Sequence, residues 1–596
     1  DLRASPEALW PYVANTDRFN KAAGLGEVVF VETPAEGGGA TTTGSFKTLG
    51  MSIAWDEHPF EWVKDREHSV YREYTQGPLR ALWNHVRLAP RDEGGTRLVH
   101  EVRAIPGGVV GRLAAQLELQ MKLTRRFDEV YRRLDASLAE GAGFSGDPFE
   151  PPHAPSTEEH ARVADAAERL VDRHDLRPTL VRRLADLLLH APAKALERLR
   201  PWALADAWRE PRADVLDMML LAAGAGLLTI AWDLVGPRCQ VSHEVASSLR
   251  SVSPKGVCAA CNAAYEADLA SSVELVFVPH ATVRATDTAT YCVGAPARRP
   301  HVLAQQVLAP GEERAISVVL PDGAYRVAGP RIKTPRDVYA SPVGWANDLG
   351  VEVQDDWVEA SPLVVRAGPV VVRLANATDK DQVIRIESTA PRSDAVTAAT
   401  ALAHPRFREL FSTELLAYGQ HVAVSRAAFL FLDAPGRFGL LEERGDAGAL
   451  AAAARLDALV AEHAATWEGA VVESRSDFGQ VAAFTSPARA VQAALAVVAA
   501  AQRDVPGLAV RAAVHEGPCI ALTRGEKIDW FGDTLTRGAA LLEEVAAGAV
   551  ALSFRVAEDR DALAALHAAG ALTDVVEGRS AGYRGRRVVR VLRWST

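Results

Sequence analysis

From residue 427 to residue 593, short apolar runs alternate with helix-length segments. That alternation limits the last third of the chain to a sheet with helices packed on it. Residues 427–432 read as a strand and 448–465 as a helix, while 470–473 and 481–484 form a hairpin. A second helix over 486–502, a strand over 508–514, a helix over 533–546 and a final strand over 588–593 complete the pattern. Strands and helices in this order predict an α+β sheet sandwich.

The 596 residues are too many for that unit alone. At roughly 100–200 residues per domain, about three to five domains are expected. Apolar content of 48% and charged content of 24% fit a globular multidomain α+β chain. A net charge of −10 argues against a general nucleic-acid binder, which needs a clustered basic surface. The five cysteines (Cys239, Cys258, Cys261, Cys292 and Cys519) are too sparse for a disulfide scaffold, so a reducing, cytoplasmic setting is expected. The opening residues lack a signal-peptide pattern. The longest apolar stretches, 215–232 and 490–501, are interrupted or short, so no membrane span is expected.

Residues 1–140 form the first unit. Ser5-Pro6-Glu7 is a helix start, with serine as N-cap and proline in the first turn. Period-2 strands follow, and 109–140 reads as one long amphipathic helix. The phrase SPEALWPYVANTDRFN and this layout resemble the START-like (SRPBCC, polyketide cyclase/lipid-transfer) family. The resemblance implies a curved antiparallel sheet gripping the long helix, often around an apolar cavity for a small hydrophobic ligand. Trp55, Phe60, Trp62, Tyr71, Tyr74 and Trp83 either line such a cavity or fill a core.

Residues 141–157 are rich in glycine and proline and read as a linker. Residues 158–235 read as short helices ending in a strand pair, a winged-helix-like module. Such modules can enter the DNA major groove. The helix beginning at Asp214 is too apolar and acidic to read bases, so a packing or protein-contact role is expected instead.

Residues 236–265 hold a zinc-ribbon-like knuckle. Cys258-Ala-Ala-Cys261 has the spacing with which two thiolates grip one tetrahedral ion. Cys239 precedes it, with Ser242 where a second cysteine is expected. Either His243 completes a closed structural Zn2+ site of Cys239, His243, Cys258 and Cys261, or the site has decayed and holds no metal. Residues 266–395 show alternating strand signals and turns and predict a β-sandwich, and 396–425 reads as a linker. PWALADAW, WDLVGPRC, CAACN, SVELVFVPH and HPRFRELFSTELL together resemble a segment found upstream of cyclase domains in poorly characterised bacterial proteins.

Residues 426–596 carry the phrases with chemical content. Phe429-Leu-Phe-Leu-Asp433-Ala-Pro-Gly436 resembles the opening of class III nucleotidyl cyclases. Val514-His515-Glu516-Gly517 and Lys527-Ile-Asp529-Trp-Phe-Gly532-Asp533-Thr534 resemble later phrases of the same family, in the same order. The resemblance implies a phosphorus–oxygen lyase. The ribose 3′-hydroxyl of ATP or GTP attacks the α-phosphate and pyrophosphate leaves, with two Mg2+ or Mn2+ ions stabilising both oxygens. It implies Asp433 and Asp477 as catalytic metal carboxylates, and Glu473 and Asp529 as base-selecting residues. Glu473 is the guanine-type choice and Asp529 the adenine-type choice, so the pair is mixed. It further implies a head-to-tail dimer, either of this chain with itself or with another cyclase-domain protein.

Three departures bear on activity. Where the family carries an asparagine for the ribose and, four residues later, an arginine for the transferred phosphate, this chain has Thr536 and Ala540. Arg475-Ser476 replaces the usual Ile-Gly before the second aspartate, and the hairpin after Glu473 is one residue longer. Two readings follow: a pseudo-cyclase with weak or no activity that binds nucleotide or dimerises under control of the N-terminal unit, or an active cyclase. The lost arginine favours the first.

Overall fold

The computed structural model describes every residue except 35–39, 49, 109–122, 140–146, 237–239, 259–263, 391, 436, 477–478 and 595–596, together with all side chains apart from those of residues 34, 139, 243, 437 and 473–476. It is a mixed α+β, multidomain structure. No described helix is long and apolar enough to cross a membrane.

Ser5 caps the Pro6–Val13 helix by accepting the Ala8 N–H at 3.4 Å, as its sequence predicts. Seven antiparallel strands between Val29 and Pro106 form the N-terminal sheet. The helix Thr124–Ala139 packs on it through Val130, Tyr131 and Leu134, all buried. Tyr131 Oη lies 3.0 Å from His100 Nδ1, and the His100 ring stacks on Phe127 with centroids 4.5 Å apart. Residues 109–122 of the expected long helix lie outside the described residues.

The aromatic set divides. Trp55 and Trp62 are core residues, 3% and 1% exposed, whereas Tyr71 is 39% exposed. Trp55 sits among Phe30, Phe46 and Tyr74, and the Trp62 indole donates to the Val302 carbonyl at 3.0 Å.

That last bond marks a feature absent from the sequence pattern. Strand Glu61–Val63 pairs with strand Val302–Leu308, so the N-terminal sheet and one sheet of the β-sandwich are continuous. The sandwich itself starts at Val302. Strand Val273–Pro279, expected within it, pairs instead with Leu228–Val235. Its residues are buried on both faces, which fits a central strand and not an alternating sandwich strand. Strands Ser242–Ala246 and Val396–Thr397 complete that four-stranded sheet. The preceding helix, Arg212–Gly224, is enclosed nearly all round: Met218, Met219 and Leu220 have no exposure. An enclosed helix cannot enter a groove of DNA, and its apolar sequence is that of a core element.

The expected linker 396–425 is packed rather than extended. Helices Ala398–Ala403 and Pro405–Leu410 bury Leu402 and Phe407, and Phe407 meets Trp232 edge-on at 5.8 Å. Apolar residues recur at helical spacing there and give the segment a face to bury. One continuous apolar core therefore runs from Val163 through Phe407 to Phe429, Trp530 and Tyr583.

The C-terminal domain follows the order strand His421–Asp433, helix Arg437–Thr466, hairpin Gly469–Ser476 and Gly479–Phe484, helix Pro487–Asp504, strand Arg511–Arg524. In the sheet, the second hairpin strand lies beside the first strand, which lies beside the fourth. This is a split β-α-β arrangement. Strand Lys527–Phe531 folds back on Arg511–Arg524, the helix Asp533–Leu541 crosses the sheet, and strands Val550–Ser553, Arg587–Arg593 and Leu572–Glu577 extend it.

Candidate functional site

Asp433 is the last residue of the first strand and faces Arg511, the first residue of its neighbour, across the ladder. The Asp433 Oδ1 accepts the Ala434 N–H at 2.8 Å, and Oδ2 accepts from Arg511 Nη2 at 3.2 Å. Both side chains are about four-fifths buried, at 22% and 20% exposure. Arg511 Nη1 reaches the Val545 carbonyl at 3.5 Å, and its Nε is buried without a partner. A guanidinium thus already neutralises the carboxylate expected to hold metal. Nothing in the sequence patterns marks Arg511, since its role depends on a partner 78 positions away.

Near that end of the first strand, Gln480 pairs with Leu432 and Gly479 with Ser476. The hairpin ladder is irregular at two places, between Val471 and Glu473 and between Ser474 and Ser476. Asp477 itself, and the side chain of Glu473, lie outside the described residues. Among the described residues no group of three or more metal-capable side chains comes together. Of the expected metal pair, only Asp433 has a described position.

Asp529 is likewise engaged. Its Oδ1 accepts the Trp530 N–H at 2.8 Å, and its Oδ2 lies 2.8 Å from Arg524 Nη1 on the paired strand. Thr536 is exposed on the helix Asp533–Leu541. Next to it, Arg537 is turned back on Asp533 of its own helix. Ala540 is roofed by Gly582, where an added Cβ would lie 3.0 Å from the Ala540 Cβ. The structure therefore brings Asp433 together with Arg511, holds Asp529 on a separate hairpin, and leaves Thr536 facing solvent.

Beneath the helix, the half-buried His515 pairs with the buried Tyr583, whose Oη lies 3.1 Å from His515 Nδ1. Burial lowers the imidazole pKa to about 4, and the nearby Arg537, Arg555 and Arg586 charges add to the effect. Burial also pushes the Tyr583 phenol up. The unfolded imidazole titrates near about 6.5. The folded pKa is depressed, so this stability is complete above about 6.5 and declines as pH falls towards 4. The imidazole resonance of His515 should accordingly show no titration near pH 6.5, and His515→Gln should flatten the acid limb of the unfolding midpoint. Ordinary titration near 6.5 would contradict this burial.

Of the expected zinc donors, Cys258 has a described side chain, buried with Val241 and Tyr265. Cys239, Cys261 and the His243 side chain lie outside the described residues.

A family profile described as a family of unknown function (DUF5939) matches residues 164–290. No curated protein matches the chain. Among solved structures, the guanylate cyclase domain of RhGC from Catenaria anguillulae in complex with GTP is 15% identical, covering 29% of this chain and 99% of that one at a TM-score of 0.25. The adenylyl cyclase CyaB from P. aeruginosa is 14% identical over 29% of this chain and 96% of that one, TM-score 0.25. An adenylate cyclase from Trypanosoma brucei is 16% identical over 28% and 89%, TM-score 0.24.

Proposed function

We propose that this chain is a signalling protein whose C-terminal domain is a degenerate class III nucleotidyl cyclase, retained for nucleotide binding or regulation and not for turnover. The observation that carries the reading is the Asp433–Arg511 pair. A divalent cation at Asp433 has to compete with the guanidinium already ion-paired to it. Here one oxygen is taken by a backbone N–H and the other by a guanidinium. Ala540 supplies no charge to a transferred phosphate, and Arg537, the nearest cation on the helix, is held by Asp533. Losing one donor aimed at a transition-state charge typically costs about 10²–10³-fold in rate.

The test is incubation of the purified chain with Mn2+ and either ATP or GTP. The expected result is cyclic nucleotide at or below about a hundredth of what a complete site would make. Calorimetry under the same conditions should still register nucleotide binding. Metal-dependent cyclic nucleotide formation that Asp433→Ala abolishes would establish the enzyme reading instead.

A further inference from the structure

A second candidate site lies far from the C-terminal domain in the chain, where the N-terminal unit meets the β-sandwich. The shared ladder between Glu61–Val63 and Val302–Leu308 fixes the two units against each other. Beside it opens a cleft of about 550 Å3, with Glu57 and Phe60 from the N-terminal unit and Gln305, Arg331 and Arg385 from the sandwich among its walls.

The Glu57 side chain is only 2% exposed. Its Oε2 accepts from Arg72 Nε at 2.9 Å and from the Trp55 indole at 3.3 Å. Its Oε1 is buried without a partner. A buried carboxylate oxygen left unpaired is unfavourable, so the site is short of one donor. The sandwich side of the cleft carries the guanidiniums of Arg331 and Arg385 beside Asp381, with Glu387 Oε1 3.9 Å from Arg385 Nη1. Gln305, 1% exposed, donates to the Phe60 carbonyl at 2.5 Å and accepts from Arg385 Nε at 2.6 Å. That holds the Arg385 guanidinium in place. Arg331 lines the same wall and makes no ion pair among the described residues. Phe60, Val293 and Val383 supply apolar surface along the same cleft.

An unmet acceptor, the Arg331 and Arg385 guanidiniums and apolar surface in one cleft suit a ligand with a donor, an anion and a hydrocarbon part. We propose that the cleft binds a small zwitterion of amino-acid to dipeptide size, its ammonium on Glu57 and its carboxylate on Arg331 and Arg385. Guanidinium groups bind carboxylates in this way, with two parallel N–H bonds. Because its walls come from two units, the bound zwitterion would cross-link them. The proposal is independent of whether the C-terminal domain turns over nucleotide.

The experiment is calorimetric titration of the full chain with L-leucine and with glycyl-L-leucine. Leucinamide, which lacks the carboxylate, and 4-methylpentanoate, which lacks the amine, are titrated in parallel. At least one zwitterion should bind saturably, and each truncated analogue should bind about tenfold or more weakly. Arg331→Ala should weaken the zwitterion by about tenfold while leaving the unfolding midpoint unchanged. Glu57→Gln should weaken it as well, and Arg331→Ala keeps the test decisive if that variant folds poorly. The proposal fails if neither zwitterion binds at millimolar concentration, if the analogues bind as well, or if Arg331→Ala binds as the unsubstituted chain does.

Discussion

Gly538→Ala should lower the stability of the C-terminal domain by about 3 kcal/mol, the upper end of what overpacking a filled core produces. Gly538 lies on the helix Asp533–Leu541, and an added Cβ would fall 1.9 Å from Phe431 Cε2 and 2.3 Å from its Cζ. Phe431 is 1% exposed, so its ring has no free space to enter. The helix cannot simply lift away, because the Thr534 hydroxyl is bonded to the Pro518 carbonyl at 2.5 Å and Leu535 and Leu541 are buried beneath it. Phe431 is also two residues from Asp433, so a displaced ring disturbs the Asp433–Arg511 pair. Gly439→Ala is the control. Gly439 is also helical, but an added Cβ there meets nothing within 4 Å. Alanine in place of glycine in an open helix stabilises by about 0.5–1 kcal/mol. The calorimetric unfolding midpoint of the C-terminal domain should therefore move in opposite directions for the two variants. Equal shifts would mean that the helix does not sit on Phe431 as described.

The C-terminal elements were legible because their periods are clean. The helix Pro487–Asp504 lies within two residues of the expected 486–502 segment. Length was less legible. The strand His421–Asp433 begins well before the apolar run, since its first residues alternate between buried and exposed. Strand Arg511–Arg524 runs through Gly517-Pro518, which reads as a turn. The ladder absorbs it by an irregularity on the partner strand between Val424 and Ala427, the kind of bulge at which a proline without an N–H is tolerated. Strand Val550–Ser553 has only four residues, too few for a pattern. The sheet shared by Glu61–Val63 and Val302–Leu308 had no signal either, because two residue pairs across some 240 positions leave no local trace.

The candidate sites divide in the same way. The place of Asp433 at the end of an apolar strand was legible from the run Phe429–Leu432 before it. Arg511 was not, because a cation becomes meaningful only through its cross-strand neighbour. Glu57 carries no motif at all. Its significance comes from burial and from a missing partner, both products of tertiary packing.

The same dependence on packing governs the largest electrostatic effect expected outside these sites. Arg200 Nη2 lies 3.0 Å from Asp233 Oδ2 and 3.1 Å from Glu274 Oε2. Those carboxylates sit on adjacent strands as ladder partners and are 0% and 3% exposed. Ser242 also donates to Asp233, and Arg392 lies 3.7 Å from Glu274. Arg200→Met would leave two buried carboxylates beside one more distant guanidinium, a loss of about 3–5 kcal/mol. Burial already raises the Glu274 pKa against the opposing pull of Arg392 and Arg200, while Asp233 raises it further. Without Arg200 the upward shift grows. An acid with a raised folded pKa contributes its stability below the unfolded value, and that stability is lost as pH climbs through the folded one. The deficit of Arg200→Met should therefore be largest at neutral pH and narrow on acidification, when Glu274 takes up its proton. Comparing the variant with the unsubstituted chain at each pH removes the opposite trend of the buried histidines, which both chains share. Adding Asp233→Asn to Arg200→Met removes one of the stranded charges and should recover part of the loss. A deficit that stays constant from pH 7 down to the carboxylate range, or a double variant worse than the single one, would show that Arg200 holds this sheet by packing and not by charge.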